Sequence, residues 1–110
     1  GQLSAQPAVR KALEETIRTS HGGKIEADQL QAMLAIQQQR DRRMAERLLA
    51  APTPALLIAG GYHAAKSVGV PLHVRDLQPA AALTVLMLAE PGVQVDANTA
   101  DYLWITPSVK

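Results

Sequence analysis

Apolar residues in the first half of the chain recur every three or four positions, the spacing of a helix with one buried face. Between residues 7 and 20 the recurring positions are Val9, Ala12, Leu13 and Ile17. A proline opens this segment, where its missing N–H costs nothing, and the glycines at positions 22 and 23 can adopt the left-handed conformation that ends many helices. The pattern predicts a first helix over about residues 7–20.

A second helix is predicted over about residues 26–51, because prolines at positions 52 and 54 end its pattern. Its inward stripe, followed in steps of three and four, is Leu30, Met33, Leu34, Gln37, Arg40, Asp41, Met44 and Leu48. The stripe is apolar at both ends and polar in the middle. Polar groups on a face that packs against the core cost free energy unless they are paired or face a cavity. The middle of this helix is therefore a candidate site.

Three later segments have the apolar character of strands. Residues 55–59 and 83–88 are short unbroken apolar runs, typical of strands that are buried on both faces of a parallel sheet. Residues 102–106 alternate between two faces. Between the first two runs, Pro71 biases Val70 away from helix, and residues 72–77 fit either a helical turn or a short extended piece.

This order of elements predicts an α/β fold, with one domain over residues 1–110. Its sheet is expected to be small, mostly parallel or mixed, with about three strands packed by the two long helices. Strands that are apolar on both faces need cover from both sides, and two helices supply only part of it. We therefore expect either additional polypeptide or a homodimer to complete the layer.

Composition narrows the class of protein. The 110 residues carry a formal net charge of +1, which argues against nucleic acid as the main partner because phosphate binding favours a strong basic excess. The chain has no cysteine, which excludes disulfides, thiolate zinc sites and cysteine nucleophiles. No apolar run approaches the roughly 20 residues that a membrane-spanning helix needs.

The first candidate for chemistry is the tetrapeptide Gly60-Gly61-Tyr62-His63, which follows the first predicted strand. Ligands of α/β sheets favour the carboxyl ends of strands, and two glycines permit a tight turn and a close approach of the backbone to a ligand. Tyrosine and histidine are both axial ligands of haem iron, and His63 could equally bind a divalent metal ion. The alternative is a turn whose histidine only hydrogen-bonds to a neighbouring backbone group.

The second candidate is the polar centre of the second helix, where Gln37, Arg40 and Asp41 share one face. Arg40 could bind a carboxylate through two hydrogen bonds, and Asp41 could orient His63 through a ring N–H. The alternative is a structural polar network that holds the helix against the end of the sheet.

Other residues with suitable side chains are interpreted as structural. His21 lies at the predicted end of the first helix, where the helix dipole favours it. His73 follows a proline in a predicted loop and is expected at the surface. The three methionines and Trp104, beside Tyr102, are expected to fill the core.

Four segments occur in a characteristic order along the chain. They are IRTSHGG at 17–23, QQQRDRRMA at 37–45, LLIAGGYH at 56–63 with GVP at 69–71, and DYLWITP at 101–107. Together they resemble the ChaN-like family of iron-regulated, haem-binding lipoproteins, within the Tiki and erythromycin-esterase-like superfamily. In the first segment, glycine stands at position 22 in place of a cysteine of the family. Tyr62 departs from the family pattern, because the family more often has a small residue there.

The resemblance implies haem as the ligand, a role in haem or iron acquisition, and a tendency to dimerise. It also implies a location in the periplasm or at the outer membrane, with any membrane attachment made through a lipid anchor outside these residues. His63 and Tyr62 are expected near the haem iron, and Arg40 on a propionate. The candidate cofactor-binding residues are His63, Tyr62, Arg40, Asp41, Gln37, Gly60, Gly61 and His21.

No residue is assigned a catalytic role, and non-enzymatic haem binding is the leading hypothesis. Members of the family also have an N-terminal half with an early Gly-Glu-x-His-type motif, which the 110 residues lack. A metal-dependent hydrolase, in which His63 is one ligand and that half supplies the others, is the alternative. A third hypothesis is a non-catalytic interaction module that is completed by dimerisation.

Overall fold

The computed structural model describes residues 2–108. Helix α1 spans Pro7–Ser20, with its proline in the first turn, and helix α2 spans Ala27–Ala50. The turn between them uses two left-handed glycines, Gly22 at φ +64° and Gly23 at φ +77°. Both predicted helices are confirmed, because the signals that begin and end them are local to the sequence.

The core has two parts that meet along α2. At one end of α2, Leu30 and Leu34 pack against Leu13 and Ile17 of α1, and all four are buried. Towards the other end, α2 packs against helix α4, which spans Val70–Leu77. The predicted inward stripe of α2 is therefore confirmed at its apolar start.

Two members of that stripe are not buried. Met33 is 38% exposed and Arg40 is exposed, whereas their neighbours Leu34 and Asp41 are completely buried. One residue along an α-helix turns the side chain by about 100°, so a stripe drawn in steps of three and four includes positions that face sideways. The prediction that Arg40 faces the core is wrong for this reason.

Helix α4 begins one residue before its proline. Gly69 is the extended residue that precedes the helix, and Pro71 lies in the first turn, where its missing N–H costs nothing. The prediction that Val70 avoids helix is therefore wrong. His73 is also not at the surface: it is 2% exposed on α4, among Val70, Val74 and other apolar side chains.

The N-terminal segment is clasped to the helices. The carboxylate of Asp76 accepts hydrogen bonds from the backbone N–H of Leu3 at 2.7 Å and of Ser4 at 3.1 Å. The side chain of Gln38 donates to the carbonyl of Ser4 at 2.9 Å. Partial burial would raise the pKa of Asp76, but the N–H groups of Leu3 and Ser4 lower it below its ordinary value.

The sheet has two parallel strands in the described residues, β1 over Leu86–Ala89 and β2 over Tyr102–Ile105. Leu86 pairs with Tyr102 and Leu88 with Trp104. The α/β class is confirmed. Residues 55–59, however, form no strand, because no neighbouring strand lies beside them in the described part of the chain.

The carboxylate of Asp101 joins the start of the sheet to the segment that follows residue 64. It accepts hydrogen bonds from the Lys66 ammonium at 2.6 Å and from the backbone N–H of Val85 at 2.8 Å. The hydrogen bond from Lys66 is the largest of the effects that lower the pKa of Asp101. The fourth sequence segment thus has a structural role at its first residue.

The strands are largely uncovered. All four residues of β2 are exposed. The expectation that Trp104 fills the core beside Tyr102 is therefore wrong. The Cα radius of gyration is 14.6 Å, against the roughly 13 Å that compact domains of this length show. The two long helices leave the face with Leu86, Leu88, Tyr102 and Trp104 open, whereas Ala89 on the other face is buried. No helix within residues 2–108 is both long and apolar enough to cross a bilayer.

Candidate ligand-binding site around His63

A single helical turn, α3 over Gly61–Ala64, carries Tyr62 and His63. The carbonyl of Gly60 accepts hydrogen bonds from the N–H groups of His63 and Ala64, both at 3.0 Å. Neither Gly60 nor Gly61 has a positive φ. A Cβ on Gly61 would lie 3.6 Å from the sulfur of Met87, which is an ordinary contact. The conformation of the turn itself therefore does not require glycine at these two positions.

The glycine that the turn does require is Gly69. A Cβ at this position would lie 2.2 Å from the carbonyl oxygen of His63 and 3.0 Å from that of Ala65. The start of α4 thus lies directly against the backbone of the turn that holds His63. Sequence reasoning noted Gly69 only as part of a motif, and the contact depends on a close approach that sequence spacing does not reveal.

His63 and Asp41 form the centre of the site. The Nδ1 atom of His63 lies 2.5 Å from Oδ1 of Asp41, which is completely buried on α2, while the imidazole side chain is 31% exposed. The carboxylate accepts, so Nδ1 carries the hydrogen and Nε2 is free to act as a ligand in the neutral ring. The contact expected between these two residues is present.

Burial raises the pKa of Asp41 above its ordinary value, and the hydrogen bond and charge of His63 oppose this effect without cancelling it. A buried carboxylate is therefore tolerated here mainly because an imidazole N–H faces it. The pair is sensitive to any change that moves α3 away from α2.

Two buried polar atoms beside this pair have no hydrogen-bond partner among residues 2–108. They are Oδ2 of Asp41 and Nε2 of Gln37, one helical turn earlier. One is an acceptor and the other a donor, and each has the capacity for a hydrogen bond to a water molecule or a polar ligand atom. The polar centre of the α2 stripe is thus a site of unused hydrogen-bonding capacity.

Tyr62 and Arg40 are both exposed, on α3 and α2 respectively. Tyr62 directly precedes His63 in the turn, and its side chain is 64% exposed. No ion pair or hydrogen bond joins Arg40 to the Asp41–His63 pair in the described part of the chain. Arg40 therefore takes no part in the network that holds His63.

His21 lies at a different place, at the C-terminal end of α1 as predicted. Its Nδ1 is 2.8 Å from the carbonyl oxygen of Ile17, so this nitrogen donates. The residue lines an open cavity of about 400 Å³ together with Lys24, Ile25, Gln29, Ala32 and Met33. None of the other candidate site residues lines this cavity.

His73 is the buried polar residue that sequence reasoning missed. Neither ring nitrogen has a hydrogen-bond partner among the described residues. Burial lowers the pKa of His73 below its ordinary value of 6.5, the charge of Arg42 lowers it further, and Asp76 acts in the opposite direction. The signal in sequence was the helical spacing of Val70, His73 and Val74, which the preceding proline obscured.

Comparison with known proteins gives two matches. The family model described as haem-binding uptake, Tiki superfamily, ChaN matches residues 2–74. A solved structure of ChaN of Campylobacter jejuni, described as showing cofacial heme binding, superposes with a TM-score of 0.81 at 34% sequence identity. The match covers 92% of this chain and 40% of that one, so the chain spans well under half of ChaN's length. No protein of curated function matches the chain.

Proposed function

The chain belongs to the ChaN family of haem-binding uptake proteins in the Tiki superfamily, and on this premise we propose that it binds haem at the surface around His63. The observation that supports the proposal is the Asp41–His63 pair. A buried carboxylate holds one ring nitrogen and leaves the other free on a partly exposed side chain. This is the arrangement that many histidines use when they bind a metal.

The residues present fit haem in three respects. His63 and Tyr62 are neighbours in α3, neither side chain is fully buried, and both an imidazole and a phenol can ligate haem iron. The apolar side chain of Met87 lies close to Gly61, in the same turn, which suits a large apolar macrocycle. Oδ2 of Asp41 and Nε2 of Gln37 provide free polar capacity next to the pair.

Each residue then has a distinct role. When bound, haem supplies an iron that accepts a nitrogen or oxygen ligand, and His63 or Tyr62 provides that atom. Asp41 orients His63 and fixes the tautomer in which Nε2 is free. The Arg40 guanidinium, which is exposed, reaches a propionate, where it forms a bidentate charge-assisted pair.

The proposed role is binding within iron uptake, without catalysis. We further propose a location in the cell envelope, through a lipid anchor outside these residues, and a homodimer in which two haem-binding surfaces face each other. The last point is supported by the cofacial heme binding described for ChaN of Campylobacter jejuni.

Titration with haem, followed by Soret absorption, tests the proposal. The wild-type chain is expected to bind, and the double variant His63→Ala/Tyr62→Phe to lose both affinity and the wild-type spectrum. Tyr62→Phe alone changes an exposed side chain and leaves the fold intact. Tyr102→Phe, at an exposed tyrosine of β2, is the matched control and should bind like the wild type.

Two outcomes would contradict this function. If the double variant keeps the wild-type spectrum and affinity, the assignment of His63 and Tyr62 is wrong. If the purified chain contains stoichiometric zinc or manganese and takes up no haem, the metal-dependent hydrolase hypothesis is favoured instead.

A further inference from the structure

Consecutive glutamines in the middle of α2 have three different environments. The side chain of Gln38 donates to the carbonyl of Ser4 at 2.9 Å, and Gln39 is exposed. Gln37 is half-buried, and its Nε2 atom is buried without a hydrogen-bond partner among residues 2–108. Gln37 also lies four residues before Asp41, which places the two side chains on the same face of the helix.

The carboxylate of Asp41 has the complementary deficit. Its Oδ1 accepts a hydrogen bond from Nδ1 of His63, but Oδ2 is buried and has no partner in the described part of the chain. A buried donor or acceptor that lacks a hydrogen bond costs about 1–3 kcal/mol, and such groups are almost always paired in folded proteins. The centre of α2 thus carries one donor and one acceptor that both need a partner.

The spacing of four residues allows the two groups to satisfy each other. Side chains at this spacing have Cβ atoms about 5–6 Å apart, and a hydrogen bond between a glutamine and an aspartate there stabilises a helix. The terminal torsion of a glutamine side chain is broad, so the amide of Gln37 can turn towards Oδ2 of Asp41 while the backbone stays in place. A ligand atom that bound only one of the two groups would leave the other unsatisfied.

We propose that Gln37 is a positioning residue for His63 and that it acts through Asp41. Its amide donates to Oδ2 of Asp41, so both carboxylate oxygens accept a hydrogen bond and the plane of the carboxylate is fixed. Oδ1 then faces Nδ1 of His63, which keeps the hydrogen on Nδ1 and leaves Nε2 free. The consequence for haem affinity rests on the proposed function, whereas the effect on the tautomer of His63 does not.

The tautomer of His63 in the haem-free protein tests the inference. Nitrogen–proton correlation spectra of isotope-labelled histidine, recorded at about pH 8, where an ordinary imidazole is neutral, show which ring nitrogen carries the hydrogen. The chain has three histidines, and the signals of His63 are those that both His21→Ala and His73→Phe retain. We expect the Nδ1–H tautomer in the wild type and a larger share of the Nε2–H tautomer in Gln37→Met, which keeps the length of the side chain without its amide.

Gln39→Met is the matched control for that comparison, because it makes the same change at an exposed glutamine of the same helix. It should leave the tautomer of His63 as in the wild type. Helical circular dichroism should be unchanged in both variants, since neither removes an apolar core residue. A Gln37→Met variant with the wild-type tautomer, or equal changes in Gln37→Met and Gln39→Met, would overturn the inference.

A double-mutant cycle on haem affinity, measured by Soret titration, shows whether Gln37 acts through Asp41. Gln37→Met should weaken binding, by less than the roughly 10–100-fold cost of losing a group that contacts the ligating residue directly. It should have little further effect in Asp41→Ala, because members of one hydrogen-bond network are not additive. Equal losses in both backgrounds would assign the amide to the ligand and overturn the inference. If the wild type binds no haem, the proposed function fails, and the tautomer of His63 still decides the role of Gln37.

Discussion

Asp41 and His63 are 22 positions apart in the sequence, and their side chains meet at 2.5 Å, Oδ1 to Nδ1. The contact joins the middle of the longest helix to a single helical turn that has few other attachments. One buried carboxylate therefore sets both the orientation of the exposed imidazole and the position of the segment that carries it.

The first prediction concerns the charge of Asp41. Asp41→Asn keeps the size of the side chain and an oxygen that accepts from Nδ1 of His63, but it removes the negative charge that supports the imidazole as a metal ligand. Haem affinity is expected to fall about 10–100-fold, as for other residues that support a metal ligand. A Soret titration measures this. Asp28→Asn, in the first turn of the same helix, should bind like the wild type, and equal affinities for all three proteins would refute the role of Asp41.

A second prediction follows from the burial of Asp41. His63→Ala leaves this carboxylate without its partner, and breaking such a pair costs about 3–5 kcal/mol of unfolding free energy at neutral pH. Without His63 the pKa of Asp41 rises further, so the loss shrinks as the pH falls and the carboxyl becomes neutral. Denaturant unfolding at several pH values measures the loss.

The double variant Asp41→Asn/His63→Ala provides the control for that experiment. Because it has no buried carboxylate left without a partner, the double variant should be more stable than His63→Ala alone at neutral pH. A double variant less stable than His63→Ala would show that the buried charge is not the cause.

Third, Gly69→Ala should destabilise the protein by about 1–3 kcal/mol, the usual cost of overpacking. The new Cβ would lie 2.2 Å from the carbonyl oxygen of His63, so backbone must move. Because that backbone carries the imidazole, haem affinity should fall as well. Gly61→Ala is the matched control, since its Cβ makes only an ordinary contact with Met87, and thermal unfolding should place it close to the wild type.

A fourth prediction concerns pH and His73. Burial holds the pKa of His73 in the folded state below its ordinary value of 6.5. When the pH falls below about 6.5, His73 becomes protonated in the unfolded chain but stays neutral in the folded chain. The free energy of unfolding therefore decreases with decreasing pH, by at most about 1.4 kcal/mol per pH unit. His73→Phe should flatten this dependence between pH 7 and pH 5, measured by urea unfolding. His21→Ala, at an exposed histidine, should retain it, and an unchanged slope in His73→Phe would contradict the assignment.

The sequence predicted what local signals determine. The proline that opens α1 and the glycines that follow it give its limits, and the spacing of the α2 stripe placed Asp41 on an inward face. Arg40 was misplaced because a rotation of about 100° per residue separates it from its neighbour. His73 was misplaced because a proline that permits a first helical turn was interpreted as a barrier to one.

What the sequence could not predict depends on distant parts of the chain. The run at residues 55–59 has the composition of a strand, but strand formation requires a neighbour that the sequence pattern does not identify. The contact of Gly69 with the His63 carbonyl arises from how two short helices meet, and no spacing rule contains it.

The clasp that Asp76 forms with Leu3 bears on kinetics. Its two residues are 73 positions apart, so closing the loop between them costs more chain entropy than a contact between neighbouring turns of a helix. We expect such a contact to form after the helices have packed, and a contact that is absent from the folding transition state slows unfolding without speeding folding. On this expectation the hydrogen bonds of Asp76 to Leu3 and Ser4 affect the lifetime of the folded state and not the rate at which the helices assemble.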